Sequence, residues 1–191
     1  APDVNDVDIS PLGYATFLYD DQGTQMRQLS APTSNRLPVS LDQIPVSLQH
    51  AVVAIEDERF YEHNGVDFKG LTRSIVNTVM GNQQGGSTIP MQVSKLLITS
   101  QEQSISRKIK DIYYALEMSK SVSKDDILLT YLNNFYAGRG LYGAQAAAQG
   151  YFSVDAAGLS IGQSALLMAA TNNPNKYSPY TTEKLNGTEN K

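Results

Sequence analysis

Apolar residues recur at helical spacing through most of the chain. Leu48, Ala51, Val52, Ile55 and Arg59 fall at i, i+3, i+4, i+7 and i+11, which predicts one helical face. Pro45 is tolerated in that helix's first turn. A second helix is predicted from Asp67 to Met80, with Phe68, Leu71, Ile75 and Val79 on one face and Gly81 as its stop. A flexible Gln83–Gly86 loop then leads to Ser87 and Thr88 as hydroxyl caps and a helix with Pro90 in its first turn. Ser104 or Ser106 caps a fourth helix, predicted to turn Ile105, Ile109, Ile112 and Leu116 inward. Ser123-x-x-Asp126 resembles a capping box and opens a helix with Ile127, Leu128, Tyr131, Leu132 and Phe135 inward. Gly143–Tyr151 is an alanine-rich helix suited to close packing. Ser160-x-x-Gln163 caps a last helix that is apolar nearly all round and so expected to be buried, ended by Asn172-Asn173-Pro174. Period-two character is confined to Tyr14–Tyr19 and Thr24–Leu29, which can pair as a hairpin across the Asp20–Gly23 turn.

The expected class is therefore mainly α with a short N-terminal β segment. The 191 residues suffice for one domain with a real core. Residues 1–44 form the connector and β segment, 45–180 the body and 181–191 a frayed tail. Hydrophobic residues at 41% and charged residues at 18% make the chain globular. The absence of cysteine excludes disulfides and thiolate metal sites. No apolar run is long enough for a transmembrane helix, and no signal peptide or internal repeat is visible. A net charge of −4 argues against a general nucleic-acid binder. The charge is uneven, however. Between residues 95 and 124 six lysines and arginines stand against three acids, a local excess of +3. Such an excess serves an anionic ligand or forms an ordinary solvated helix face.

The candidate chemistry starts at Glu56, one turn beyond Val52 on the edge of the apolar stripe. A carboxylate partly stripped of water there suits a general base or acid; the same spacing also fits a half-solvated residue at a helix end. Lys95 lies one turn after Met91, beyond a helix start whose free N–H groups attract anions. Arg107 and Asp111 are i, i+4 neighbours, and Lys108 and Asp111 are i, i+3 neighbours. They form either a surface charge pair or a cationic clamp beside a second carboxylate.

Glu56-Asp57-x-x-Phe60-x-x-His63-x-Gly65 resembles the first signature of the family 51 peptidoglycan glycosyltransferases, the domains of class A penicillin-binding proteins and monofunctional transglycosylases. Gly85-Gly86-Ser87-Thr88-Ile89-Pro90-Met91-Gln92-Val93-Ser94-Lys95 resembles the second, with Met91 where the family has the first glutamine of a pair. Arg107-Lys108-x-x-Asp111 is similar to the third, with aspartate for glutamate. Tyr131-Leu-Asn-Asn-Phe-Tyr136-Ala-Gly138-x-Gly140-x-Tyr-Gly143 resembles the fourth. Leu159–Pro179 resembles the fifth, with Gln163 for glutamate.

This resemblance implies a lysozyme-like fold, with a large lobe and a small jaw lobe around a cleft. It implies polymerisation of lipid II with inversion and release of undecaprenyl diphosphate. Glu56 would be the base and Asp111 a second catalytic carboxylate. Asp57, His63, Ser87, Thr88, Gln92, Lys95, Arg107, Lys108 and Tyr136 would bind substrate. The chain itself contains no metal-ligand cluster, but the family implies Mg²⁺ or Mn²⁺ at the diphosphate, and inhibition by moenomycin. The implied setting is the extracytoplasmic face of the bacterial membrane, in an anchored protein that can carry a transpeptidase domain. Two other readings are a glycan-cleaving enzyme, whose neutral leaving group needs no cationic clamp, and a non-catalytic lipid II-binding module. The retained Glu56, Lys95 and Arg107 argue against the module.

Overall fold

A computed structural model describes residues 16–19, 22, 25–29, 36–81, 85–97, 105–172, 177, 184–185 and 188–189. The expectations for residues 1–13, the linker at 99–104, the helix stop at Pro174 and the side chains of Ile75 and Val79 lie outside the described residues. The chain is mainly helical, with seven α-helices among the described residues. It divides into two compact units, residues 1–12 with 49–134, and residues 13–48 with 135–191. Helix α1 (Val46–Glu56) begins in the second unit and ends in the first.

In the first unit, α2 (Phe68–Val79), α3 (Ile89–Leu97), α4 (Ile105–Ser121) and α5 (Lys124–Asn134) follow the end of α1. The nine-residue α3 packs against both α4 and α5. Val66, Met91 and Ala115 form a buried cluster, covered by Leu71, Ile112 and Leu116. The inward face predicted for α5 is observed: Ile127, Leu128, Tyr131 and Leu132 are all buried.

Three helices differ in phase from the apolar pattern. On α1 the buried residues are Leu48 and Val52; Glu56 continues their i, i+4 row, and Ile55 is exposed. On α2, Leu71 and Ser74 face inward and Phe68 is exposed. The reason is Gly86, where a Cβ would lie 2.1 Å from Ser74 Oγ, so the loop before α3 docks on the serine side of α2. On α4 the buried line is Asp111, Tyr114, Ala115 and Met118, while Ile105 and Ile109 are exposed. With 17 residues, α4 is about 12 Å longer than the nine residues described for α3, so those nine cannot cover it along its whole length.

In the second unit, β1 (Thr16–Tyr19) and β2 (Gln25–Leu29) form the predicted antiparallel hairpin, with Thr16 opposite Leu29. Ser40 and Gln43 box the start of a 3-10 turn at Leu41–Gln43. Strands β3 (Tyr136–Gly138) and β4 (Leu141–Tyr142) make a tight hairpin. Its turn needs positive φ at Gly138 (90°), Arg139 (54°) and Gly140 (75°). Helix α6 (Gly143–Phe152) follows at once, with Ala144, Ala146, Ala147 and Ala148 buried. Helix α7 (Ile161–Asn172) packs on β3. It is buried on one side only: Ser164, Leu167, Met168 and Ala170 face inward, whereas Ile161 and Leu166 are exposed. An apolar helix at the edge of a small unit still has an outer face. The tail expected to fray contains a short pairing, β5 (Lys184–Leu185) with β6 (Thr188–Glu189).

Candidate active site

Glu56 is the last residue of α1 and is half-buried. Its Oε2 accepts a hydrogen bond from Gln92 Nε2 at 2.8 Å, so the first and second signatures meet here. Tyr131 lies in the field of the Glu56 carboxylate. Burial first, and that negative charge second, push the Tyr131 hydroxyl far above the ordinary range and keep it neutral.

Asp57 turns the other way, inward. Its carboxylate meets His63 Nε2 at 2.9 and 3.0 Å and accepts the Ile89 N–H at 2.9 Å. That last bond satisfies a free donor at the start of α3. The His63 side chain is only 9% exposed. Thr88 is 2% exposed; its hydroxyl donates to Gly65 O at 2.6 Å and accepts the Met91 N–H at 3.4 Å. Thr88 is thus the helix cap, and Ser87 is left for another task. Gly65 itself has φ 91°, and a Cβ there would sit 2.3 Å from Ala115 O. Asp57, His63 and Thr88 therefore lie beneath Glu56 and hold the loop, α3 and α4 together.

The cations gather beside this frame. Lys108 Nζ donates to Ser87 Oγ at 2.6 Å. Burial lowers the Lys108 pKa; the charge of Asp111 opposes the fall, and those of Arg107 and Lys95 add to it. Lys95 is exposed and one turn beyond Gln92, on the same side of α3. Arg107 Nε is 3.6 Å from Asp111 Oδ2, and Asp111 is buried. Ser87, Lys95, Arg107, Lys108 and Asp111 thus form a second group, next to the Glu56–Gln92 pair in the same unit.

Tyr136 belongs to the other unit. It is exposed, its ring is 5.1 Å from that of Tyr142, and Arg36 stacks over Tyr142 at 4.4 Å. A stacked, exposed aromatic is a platform for a sugar or an apolar group.

The departures from the family pattern are accommodated. Met91 fills the Val66–Ala115 cluster and does not face Glu56's partners. Gln163 completes the capping box of α7, its Oε1 accepting Ser160 N–H at 2.8 Å and its own N–H donating to Ser160 Oγ at 3.3 Å. Among the described residues no group of three or more His, Asp or Glu can hold a metal ion. Asp111, the carboxylate beside the cations, is 3% exposed and already faces Arg107.

Sequence reasoning missed Lys124. It sits at the first position of α5, where a lysine reads as ordinary surface charge. Its Nζ donates to the carbonyl oxygens of Phe60 and His63, each at 2.5 Å, and lies 4.6 Å above the Phe60 ring.

The family model described as Transglycosylase matches residues 22–191. Penicillin-binding protein 1A of Clostridium perfringens (strain 13 / Type A) is 40% identical over 183 residues, covering 93% of this chain and 27% of its own length. Penicillin-binding protein 1F of Bacillus subtilis (strain 168) is 37% identical over 164 residues, covering 85% of this chain and 23% of its own. Penicillin-binding protein 1A of Mycobacterium tuberculosis is 37% identical over 177 residues, covering 90% of this chain and 22% of its own. The chain spans about a quarter of the length of these relatives.

Proposed function

Because the chain belongs to the transglycosylase family, we propose that it is a peptidoglycan glycosyltransferase domain that joins lipid II units into glycan strands. The acceptor is lipid II and the donor is the growing lipid-linked chain. Glu56 takes the proton of the acceptor GlcNAc 4-hydroxyl, and that oxygen bonds to C1 of the donor MurNAc with inversion. The bond from C1 to the diphosphate oxygen breaks, and undecaprenyl diphosphate leaves with the electron pair. Gln92 orients the Glu56 carboxylate for the proton transfer.

The observation that carries this reading is the group of cations formed by Lys108, which donates to Ser87, with Arg107 and Lys95 close enough for their charges to act on it. Three cations stand here with Asp111 as the carboxylate among them, and Asp111 is already taken by Arg107 at 3.6 Å. A diphosphate supplies negative charge, and it gains most where charge develops on the leaving group. A lytic enzyme with a neutral leaving group would give these cations no task. Met91, Asp111 and Gln163 each have a structural partner here, so they do not favour a decayed binding module. A magnesium or manganese ion would be held on the diphosphate and would supply further charge neutralisation, with Asp111 kept by Arg107. The polyprenyl tail of the substrate would keep the reaction at a membrane surface, and the family resemblance favours its extracytoplasmic face. The names of the relatives, and the quarter of their length that aligns, support a longer protein with a transpeptidase domain.

The test is polymerisation of labelled lipid II in detergent. Glu56→Gln should abolish product while leaving the melting temperature within a few degrees, since a glutamine still fits beside Gln92. Turnover retained within a few-fold would refute Glu56 as the base. Shortened glycan in place of polymer would refute the reaction.

A further inference from the structure

Lys124 is half-buried, yet it forms no ion pair with the aspartates that follow it on α5. Its ammonium points back to the loop after α1, where two carbonyl oxygens accept from it and the Phe60 ring lies beneath it. Phe60 is fully buried and His63 nearly so. A lysine ammonium has three donors and no preferred plane, so it can gather two carbonyls of one tight loop. Burial lowers its pKa, and the charge of Asp57 works against that fall.

The contacts then run in one direction. The loop ends at His63, whose Nε2 meets both oxygens of Asp57. Asp57 accepts the Ile89 N–H at the start of α3. One turn later on α3, Gln92 donates to Glu56. We propose that Lys124 is a positioning residue for the base: by gathering the Phe60 and His63 carbonyls it fixes the loop from which His63 grips Asp57, and through Asp57 it sets the start of α3 and the hydrogen bond from Gln92 to Glu56. Lys124 touches no substrate in this arrangement. Its removal lowers the rate of proton transfer more than it weakens diphosphate binding, because Arg107, Lys108 and Asp111 of that site stand on α4, outside the chain of contacts.

The proposal rests on the glycosyltransferase reading for its kinetic arm only. The experiment compares the wild-type chain with Lys124→Met, which keeps the length and the contact with Phe60, and with Lys124→Arg, which keeps the charge and the donors. Lys124→Gln serves as a second neutral variant should the Met variant fold poorly by circular dichroism. Polymerisation of lipid II in detergent should show kcat about tenfold lower in the neutral variants, with KM within twofold, and partial recovery in Lys124→Arg. A tenfold loss corresponds to about 1.4 kcal/mol of barrier. Independently of activity, hydrogen exchange at the Ile89 amide should quicken in the neutral variants, while amides in the middle of α5 stay protected. A folded neutral variant with wild-type kcat, or with an unchanged Ile89 amide, overturns the proposal. An inactive wild type, with the Ile89 amide still responding to Lys124, would instead overturn the glycosyltransferase reading and leave the clamp standing.

Discussion

At the scale of single residues, neighbours in sequence do opposite things. Glu56 and Asp57 are adjacent, yet one carboxylate faces Gln92 and the other is sealed under His63 and Ile89. The difference follows from the end of α1. The Asp57 N–H still bonds Val53 O at 3.0 Å, but the chain leaves the helix there, so the two side chains diverge. Met91 tests the same logic. A glutamine at this position would put an amide into the Val66–Ala115 cluster, at about 1–3 kcal/mol for burial without a partner. Met91→Gln should therefore lower stability by about that amount without raising polymerisation, as measured by urea unfolding and lipid II turnover. A more active variant of equal stability would restore a substrate contact to position 91. Asp111 is the other instructive residue. It is 3% exposed and faces Arg107, so its first task is to hold the guanidinium. Removing one partner of a largely buried pair costs more than the pair contributes, because the other charge is left behind. Asp111→Asn should lower the polymerisation rate roughly tenfold, about 1.4 kcal/mol, at every magnesium concentration. Asp111→Glu, which still reaches Arg107 across one helical turn, should stay near wild type. A shift in the magnesium dependence of Asp111→Asn would give the carboxylate a metal-binding task instead.

At the scale of elements, helix existence and the caps at Ser123 and Ser160 were legible in the sequence, whereas Ser106 lies inside α4 and does not cap it; helix phase was legible on α5 but not on α1, α2 or α4. Ser123 and Ser160 were read as caps, and both accept the N–H three residues on. Caps are local, so a four-residue window contains the cause. Replacing Ser123 with Ala should cost about 1 kcal/mol. That corresponds to a fall of about 2–4 °C in melting temperature for a chain of this size, readable by circular dichroism. An unchanged melting temperature would mean that the Lys124 clamp alone holds the start of α5. Phase depends on what a helix meets. Nothing near Ile105 or Ile109 in sequence says which turns of α4 will be covered, and nothing near Phe68 says that Gly86 will dock against Ser74. The candidate site divides in the same way. The identities of Glu56, Gln92, Lys95, Arg107 and Lys108 came from signature spacing. The inward turn of Asp57, His63 and Thr88 required the loop geometry set by Gly65, and Lys124 carried no signal because its partners are backbone carbonyls 61 and 64 residues away.

At the scale of the whole molecule, the question is how a chain of net charge −4 would work on the proposed lipid-borne substrate at an anionic surface. None of its described helices is long and apolar enough to cross a membrane. The outward side of α2 offers another attachment. Phe68, Val76 and Met80 are exposed at i, i+8 and i+12, and Thr72 completes the row. Lys69 and Arg73 stand beside it, both exposed. Apolar residues flanked by cations on one helix face suit the boundary between headgroups and acyl chains of an anionic bilayer. Magnitudes decide whether the net charge forbids it. The −4 is a sum over the whole chain, and charges away from α2 are screened beyond about 8 Å at physiological salt. Each cation at the lipid surface contributes about 1 kcal/mol, and each large apolar side chain that leaves water contributes about 1.5–3 kcal/mol. The local face therefore outweighs the distant charge. The chain should co-float with vesicles containing phosphatidylglycerol and bind neutral phosphatidylcholine vesicles more weakly. Phe68→Ser combined with Met80→Ser should weaken binding at least about tenfold, since 1.4 kcal/mol suffices for that factor. Lys69→Glu combined with Arg73→Glu should remove the preference for anionic vesicles while retaining the weaker neutral binding. In detergent, where no surface has to be found, all four substitutions should leave lipid II polymerisation near wild type. Equal flotation of the wild type and the Phe68/Met80 variant would show that α2 is an ordinary solvent-facing helix and that contact with the membrane is made elsewhere.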